Sequence, residues 1–279
     1  MNIAFVFPGQ GSQHVGMGKA LYEYSPIVRN LYKNASSILN YDVAKLSFWG
    51  PKEELDKTVN TQPCLFVASI AAYLVLKEKG IAPECVAGHS LGEYSAVVAA
   101  GVASFEEVLP VVEKRAIFMQ EAVPEGKGLM AAILGMDREK LDRICKDVEG
   151  IVSMANLNCP GQIVVSGEKD AVEIVMKEAL NRGAKRAIAL SVSVPSHSPL
   201  MEPVCEKLSK ELDKIDFKDP STCFVNNVGA EVLKKGSDIK DSLVKQLSSP
   251  VLWEDSIITM SNMVGIDTFI EVGPGKVLS

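Results

Sequence analysis

The chain has 279 residues, a formal net charge of −6, and a composition that is 47% hydrophobic and 23% charged. That length and apolar content admit one large domain, or a domain with a subdomain, around a sizeable core. The negative balance excludes a general affinity for nucleic acid, and a strongly anionic partner would need a local basic patch. The six cysteines form no C-x-x-C pair and there are only three histidines, so no metal site is expected. Scattered free thiols suit a reducing cytoplasm. The apolar N-terminus, residues 1–7, is short and has no basic leader, so it reads as a first strand rather than a signal peptide. No apolar run approaches the ~18 residues of a membrane span, and no membrane association is expected.

Residues 3–7 are nearly all apolar, as in a strand buried on both faces. The strand runs into Pro8-Gly9-Gln10-Gly11, where two glycines can bring backbone N–H groups to a ligand. Ser25-Pro26 reads as an N-cap followed by proline at the first helical position, with Ile27, Leu31, Ala35 and Ile38 on one face. Pro51 precedes another helix start. Thr61-Gln62-Pro63 opens a long apolar helix that Gly80 closes. Ser104 and Glu107 have capping-box spacing, and Pro110 and Arg115 lie in the helix that follows.

Past the linker-like residues 124–128 the texture changes. Strands are expected at 129–134, 151–155, 163–165 and 186–190, and helices after Asp137 and over 171–180. The order β-α-β-β-α-β is the ferredoxin-like signature. Further on, prolines bracket His197. A helix is expected over 205–212, a strand over 222–225 ending at Asn226-Asn227, helices over 239–247 and from Ser249, and a last strand over 268–272. The expected class is α/β: an α/β-hydrolase-like domain with a parallel sheet, formed by residues 1–125 and 195–279, and an inserted ferredoxin-like subdomain at 126–194.

The chemistry centres on Gly88-His89-Ser90-Leu91-Gly92, a G-x-S-x-G pattern that sets a serine on a sharp strand-to-helix turn. A serine nucleophile needs a base, an oxyanion site and a substrate determinant. Of His14, His89 and His197, the last is favoured as base, because it lies far downstream in the Ser…His chain order. His89 adjoins the serine, where neighbouring side chains point apart, and reads as a packing or hydrogen-bonding residue. No acidic residue that would orient the histidine is identifiable, and a carbonyl could serve instead. The N–H of Leu91 is the natural first oxyanion donor, and the turn around Gln10 the natural second. Arg115 reads either as a structural or surface arginine or as a fork for a substrate carboxylate.

Phe7-Pro8-Gly9-Gln10-Gly11-Ser12-Gln13, Thr61-Gln62-Pro63, Gly88-His89-Ser90-Leu91-Gly92-Glu93, Arg115 with Met119-Gln120, Asn156-x-Asn158 with Pro160-Gly161-Gln162, Pro195-Ser196-His197-Ser198 and Glu271-Val272-Gly273-Pro274-Gly275 occur in this order. The ordered set covers nearly the whole chain. It resembles the malonyl-CoA:acyl-carrier-protein transacylases, the stand-alone acyltransferases of bacterial type II fatty-acid synthesis.

The resemblance implies Ser90 as nucleophile and His197 as general base and acid, with the histidine oriented by a backbone carbonyl near Gln246. It implies oxyanion donors at Gln10 and Leu91, a carboxylate clamp at Arg115, and Gln62 lining the pocket. The implied reaction is ping-pong transfer of malonyl from malonyl-CoA to the phosphopantetheine thiol of acyl carrier protein, by a cytoplasmic monomer without metal or cofactor. A polyketide acyltransferase, or an acyl-thioester hydrolase on the same scaffold, is the alternative; family hydrolases lack the arginine. Members usually continue for a few dozen mostly helical residues past the last motif, so C-terminal packing is expected to differ here. Ser196 stands where many malonyl-specific domains of modular synthases have phenylalanine, which leaves extender selectivity open. Lys177, Arg182, Lys185 and Arg186 are candidates for a local basic docking surface for the carrier.

Overall fold

The computed structural model describes residues 2–124, 126–190 and 194–279. Glu125 in the linker-like stretch and Ser193 at the head of the histidine loop lie outside them. The fold is α/β, with helices packed on two sheets. The described strands are β1 (Ile3–Phe7), β2 (Cys85–Gly88), β3 (Gly128–Leu134), β4 (Val152–Cys159), β5 (Gln162–Glu168), β6 (Arg186–Ala189), β7 (Cys223–Val225), β8 (Val232–Leu233) and β9 (Thr268–Glu271).

One sheet has the order β8-β7-β2-β1-β9, parallel except for β8. Its central strands read as continuous apolar runs because helices cover both faces, and all four residues of β2 are buried. Phe7 pairs with Gly88, so β1 and β2 end level with one another. The loop carrying Gln10 and the turn carrying Ser90 therefore open side by side at the carboxyl edge of the sheet, where ligand sites of open α/β sheets form.

The second sheet, β4-β5-β3-β6, is antiparallel throughout. Helices Arg138–Asp147 and Lys169–Asn181 put Leu141, Ile144, Val172 and Val175 against Ala131, Ile133, Ile163 and Val165 in a core of their own. The element order across this unit is the β-α-β-β-α-β read from the sequence. Strand β4 is tied back to the other sheet's helical layer at Val251, which donates to Ala155 O at 2.8 Å and accepts from Leu157 N at 2.9 Å.

Several local expectations hold. The capping box forms at Ser104 and Glu107, and Asp137 accepts from the N–H groups of Glu139 and Lys140. Three expectations change. Ser25 occupies the N-cap position of helix Pro26–Leu39, but its hydroxyl donates to Glu78 Oε2 at 3.1 Å instead of capping the helix, a carboxylate being the stronger partner. The long apolar helix is Thr58–Glu78, so it begins before Thr61 and holds Pro63 inside it. Proline there gives up the bond to the Val59 carbonyl, one residue into the second turn, and the helix runs on through it. This helix is long and apolar enough on its own to cross a membrane, contrary to the absence expected from the sequence. Its apolar surface is mostly buried within the fold, and it packs against helix Phe105–Ala122.

Candidate active site

Ser90 sits at φ 52°, in the left-handed region that costs a non-glycine residue energy. Asn227, just past β7, holds the turn: its Oδ1 accepts from Ser90 N at 2.7 Å and its Nδ2 donates to Gly88 O at 2.7 Å. The two glycines of the motif are needed for close approach. A Cβ on Gly88 would overlap the backbone of Gly92, and one on Gly92 would overlap the Phe7 carbonyl. Strand β1, strand β2 and helix Gly92–Ala99 thus meet backbone to backbone beneath the serine.

His197 Nε2 lies 2.6 Å from Ser90 Oγ, and its Nδ1 lies 2.7 Å from Gln246 O. A carbonyl only accepts, so Nδ1 bears the proton and Nε2 is left to receive one from Ser90. Burial pushes the imidazole pKa down to about 3, helped by the Arg115 charge and opposed by the Gln246 bond. At neutral pH the histidine is therefore an uncharged base.

Arg115, from helix Phe105–Ala122, is buried. It donates from Nη1 to Gln62 Oε1 at 2.7 Å, and from Nη2 to Gln246 Oε1 at 2.9 Å and Ser90 Oγ at 3.3 Å. Among the described residues it makes no ion pair, and its Nε has no hydrogen-bond partner. Burial lowers its pKa from the usual guanidinium value. A cation held beside a serine hydroxyl by two neutral amides, with no anion paired to it, is arranged to receive one.

Gln10 and Leu91 both line the cavity above Ser90, about 480 Å³ in volume. Neither backbone N–H has a hydrogen-bond partner among the described residues, as oxyanion donors awaiting an oxygen would not. The Gln10 side chain donates to Thr58 Oγ1 at 3.1 Å. The far wall includes Asn156 and Asn158 of β4, so the two sheets enclose the cavity together. His89 points away from the hydroxyl: its Nε2 is 2.9 Å from Asn158 Oδ1, and its ring meets Trp253 edge-on. His14 does not line the cavity. Among the described residues no group of three or more His, Cys, Asp or Glu is placed to hold a metal. In the candidate docking patch, Arg182 is already paired with Asp147 and Glu178, each at 3.4 Å.

The structure adds Asn227 and Glu93, to which sequence reasoning gave no role. Glu93 follows Ser90 by three residues and is buried completely. The available signals were a pair of asparagines ending a strand and an acid at the head of an otherwise apolar helix.

A strained serine, a neutral histidine and an unpaired buried cation meet at one cavity, and the acyl transferase domain family profile matches residues 4–279. The chain is 52% identical over 280 residues to the malonyl CoA-acyl carrier protein transacylase of Bacillus subtilis, covering 99% of this chain and 88% of that one. It is 50% identical over 279 residues to the Escherichia coli protein of the same name, covering 99% and 90%. The crystal structure of an acyl carrier protein S-malonyltransferase from Vibrio cholerae superposes with a TM-score of 0.97 at 45% identity, covering 100% of this chain and 92% of that one. A malonyl-transacylase in complex with its type II polyketide synthase acyl-carrier protein gives 0.97 at 47% identity, covering 100% and 91%. The chain belongs to the malonyl-CoA:acyl-carrier-protein transacylase family.

Proposed function

We propose that this chain moves a malonyl group from malonyl-CoA to the phosphopantetheine thiol of acyl carrier protein through an ester on Ser90, supplying fatty-acid synthesis. Ser90 Oγ attacks the thioester carbonyl as its proton passes to His197 Nε2. The developing oxyanion takes the free N–H groups of Gln10 and Leu91. Collapse expels the CoA thiolate, which takes the proton from the imidazolium. The carrier thiol then gives its proton to His197 and attacks the ester, and the proton returns to Ser90 as the serine leaves. Arg115 holds the malonyl carboxylate through the guanidinium that lies beside Oγ, and Gln62 and Gln246 steer it.

The observation that carries this reading is that Ser90 Oγ is within reach of both a neutral His197 and the Arg115 cation. The same pairing disfavours a general thioesterase, which has no use for a cation there. The test is Arg115→Ala. Malonyl loading should fall by about one to two orders of magnitude, a charge-assisted pair being worth roughly 1.5–3 kcal/mol, while acetyl loading is spared. Intact malonyl loading would remove the clamp.

The architecture is read as an α/β-hydrolase-like domain at 1–125 and 195–279 with a ferredoxin-like insertion at 126–194. The order β4-β5-β3-β6 and the separate core of that unit support this reading. The unpaired cysteines support a reducing, cytoplasmic setting.

A further inference from the structure

Glu93 is a buried carboxylate with no cation in direct contact among the described residues. Both its oxygens are used as acceptors: Oε1 takes the Asn227 N–H at 3.3 Å and Oε2 takes Gln246 Nε2 at 2.5 Å. The Gln246 amide lies between this carboxylate and Arg115, since its Oε1 accepts from Arg115 Nη2 at 2.9 Å. An amide can turn over, exchanging its donor and acceptor ends. An ionised carboxylate only accepts, so Glu93 fixes which end faces it. With Nε2 held toward Glu93 and the Ser90 carbonyl, 2.9 Å away, Oε1 has to face the guanidinium.

We infer that Glu93 is a positioning residue, which locks the Gln246 amide and through it aims Arg115 at the substrate carboxylate. The inference rests on the malonyl-transfer reading above. Glu93 reaches the reaction only through Gln246 and touches neither substrate nor reacting atoms. A glutamine in its place has one acceptor for two donors. Either the Asn227 N–H loses its partner, or the Gln246 amide turns over and presents N–H to N–H at Arg115.

The test compares wild type, Glu93→Gln and Glu93→Asp in single-turnover loading of Ser90 by malonyl-CoA and by acetyl-CoA, read by intact-protein mass spectrometry. Thermal melting establishes that each variant is folded. In Glu93→Gln, malonyl loading should fall at least tenfold more than acetyl loading, because only malonyl needs the aimed clamp. Glu93→Asp keeps two acceptor oxygens and should give a ratio between wild type and Glu93→Gln. An unchanged malonyl-to-acetyl ratio overturns the inference, and so does an equal fall in both rates, which marks a general packing defect. If Glu93→Gln does not fold, Glu93→Asp decides alone: its ratio has to drop below wild type. Wild-type protein that takes no malonyl on Ser90 would defeat the transfer reading itself, an outcome distinct from a failure at Glu93.

Discussion

His197 is held by a carbonyl rather than by an acid: its Nδ1 donates to the backbone oxygen of Gln246 at 2.7 Å. A neutral acceptor fixes the ring and its tautomer but adds no negative charge to stabilise an imidazolium. Burial and the nearby Arg115 cation therefore dominate and hold the pKa at about 3.

The base should consequently stay available far below the usual histidine range. Loading of Ser90 by acetyl-CoA, which does not call on the carboxylate clamp, should keep its rate as pH falls through 6.5 to about 5. A rate that halves near pH 6.5 would show an ordinary, solvated histidine.

Glu93 makes the opposite kind of statement about stability. Burial raises its carboxyl from 4.5 to about 7, opposed by its hydrogen bonds to Gln246 and Asn227 and by Arg115. The unfolded chain then loses the proton first as pH rises. The contribution is complete below pH 4.5 and lost as pH rises through about 7. Glu93→Gln removes this dependence. Its stability relative to wild type should improve between pH 4.5 and pH 8 by on the order of 3 kcal/mol, from 1.36 kcal/mol per pKa unit. Chemical denaturation at the two pH values measures it, and a difference that does not change with pH contradicts the ionisation.

Gly92 in the Ser90 turn and Gly183 past helix Lys169–Asn181 separate two physical requirements. At Gly92 a Cβ would meet the Phe7 carbonyl, which belongs to a central strand and cannot move aside. Gly183 has φ +101° with open space around it. Gly183→Ala should cost about 1–2 kcal/mol from backbone strain alone. Gly92→Ala should cost about 3 kcal/mol or more from backbone overlap, measured by the same unfolding curves. Equal costs would show that the helix can shift away from β1.

Local rules made much of this molecule legible. The capping box, the Asp137 cap, the buried first strand and the Ser90 turn follow from residues close together in sequence, where side-chain chemistry and periodicity decide the outcome. Helix Thr58–Glu78 starts ahead of the boundary that Thr61-Gln62-Pro63 suggests, because a proline gives up one backbone bond without ending a helix that burial holds together on either side of it. The buried polar network was less accessible. Glu93 meets Gln246 across 153 positions and Asn227 meets Ser90 across 137, separations at which no periodicity or propensity speaks. Gln246 itself came from family resemblance, and its position explains why an acidic partner for His197 could not be found: the partner is a main-chain carbonyl, which every residue has.

The account stands on Ser90 carrying the acyl group. Folded protein incubated with malonyl-CoA and digested for peptide mass spectrometry should show a malonyl ester on Ser90. The ester should be absent from Ser90→Ala and removed when acyl carrier protein bearing phosphopantetheine is added. Folded protein that acquires no malonyl group, or acquires it at a residue other than Ser90, would contradict the account.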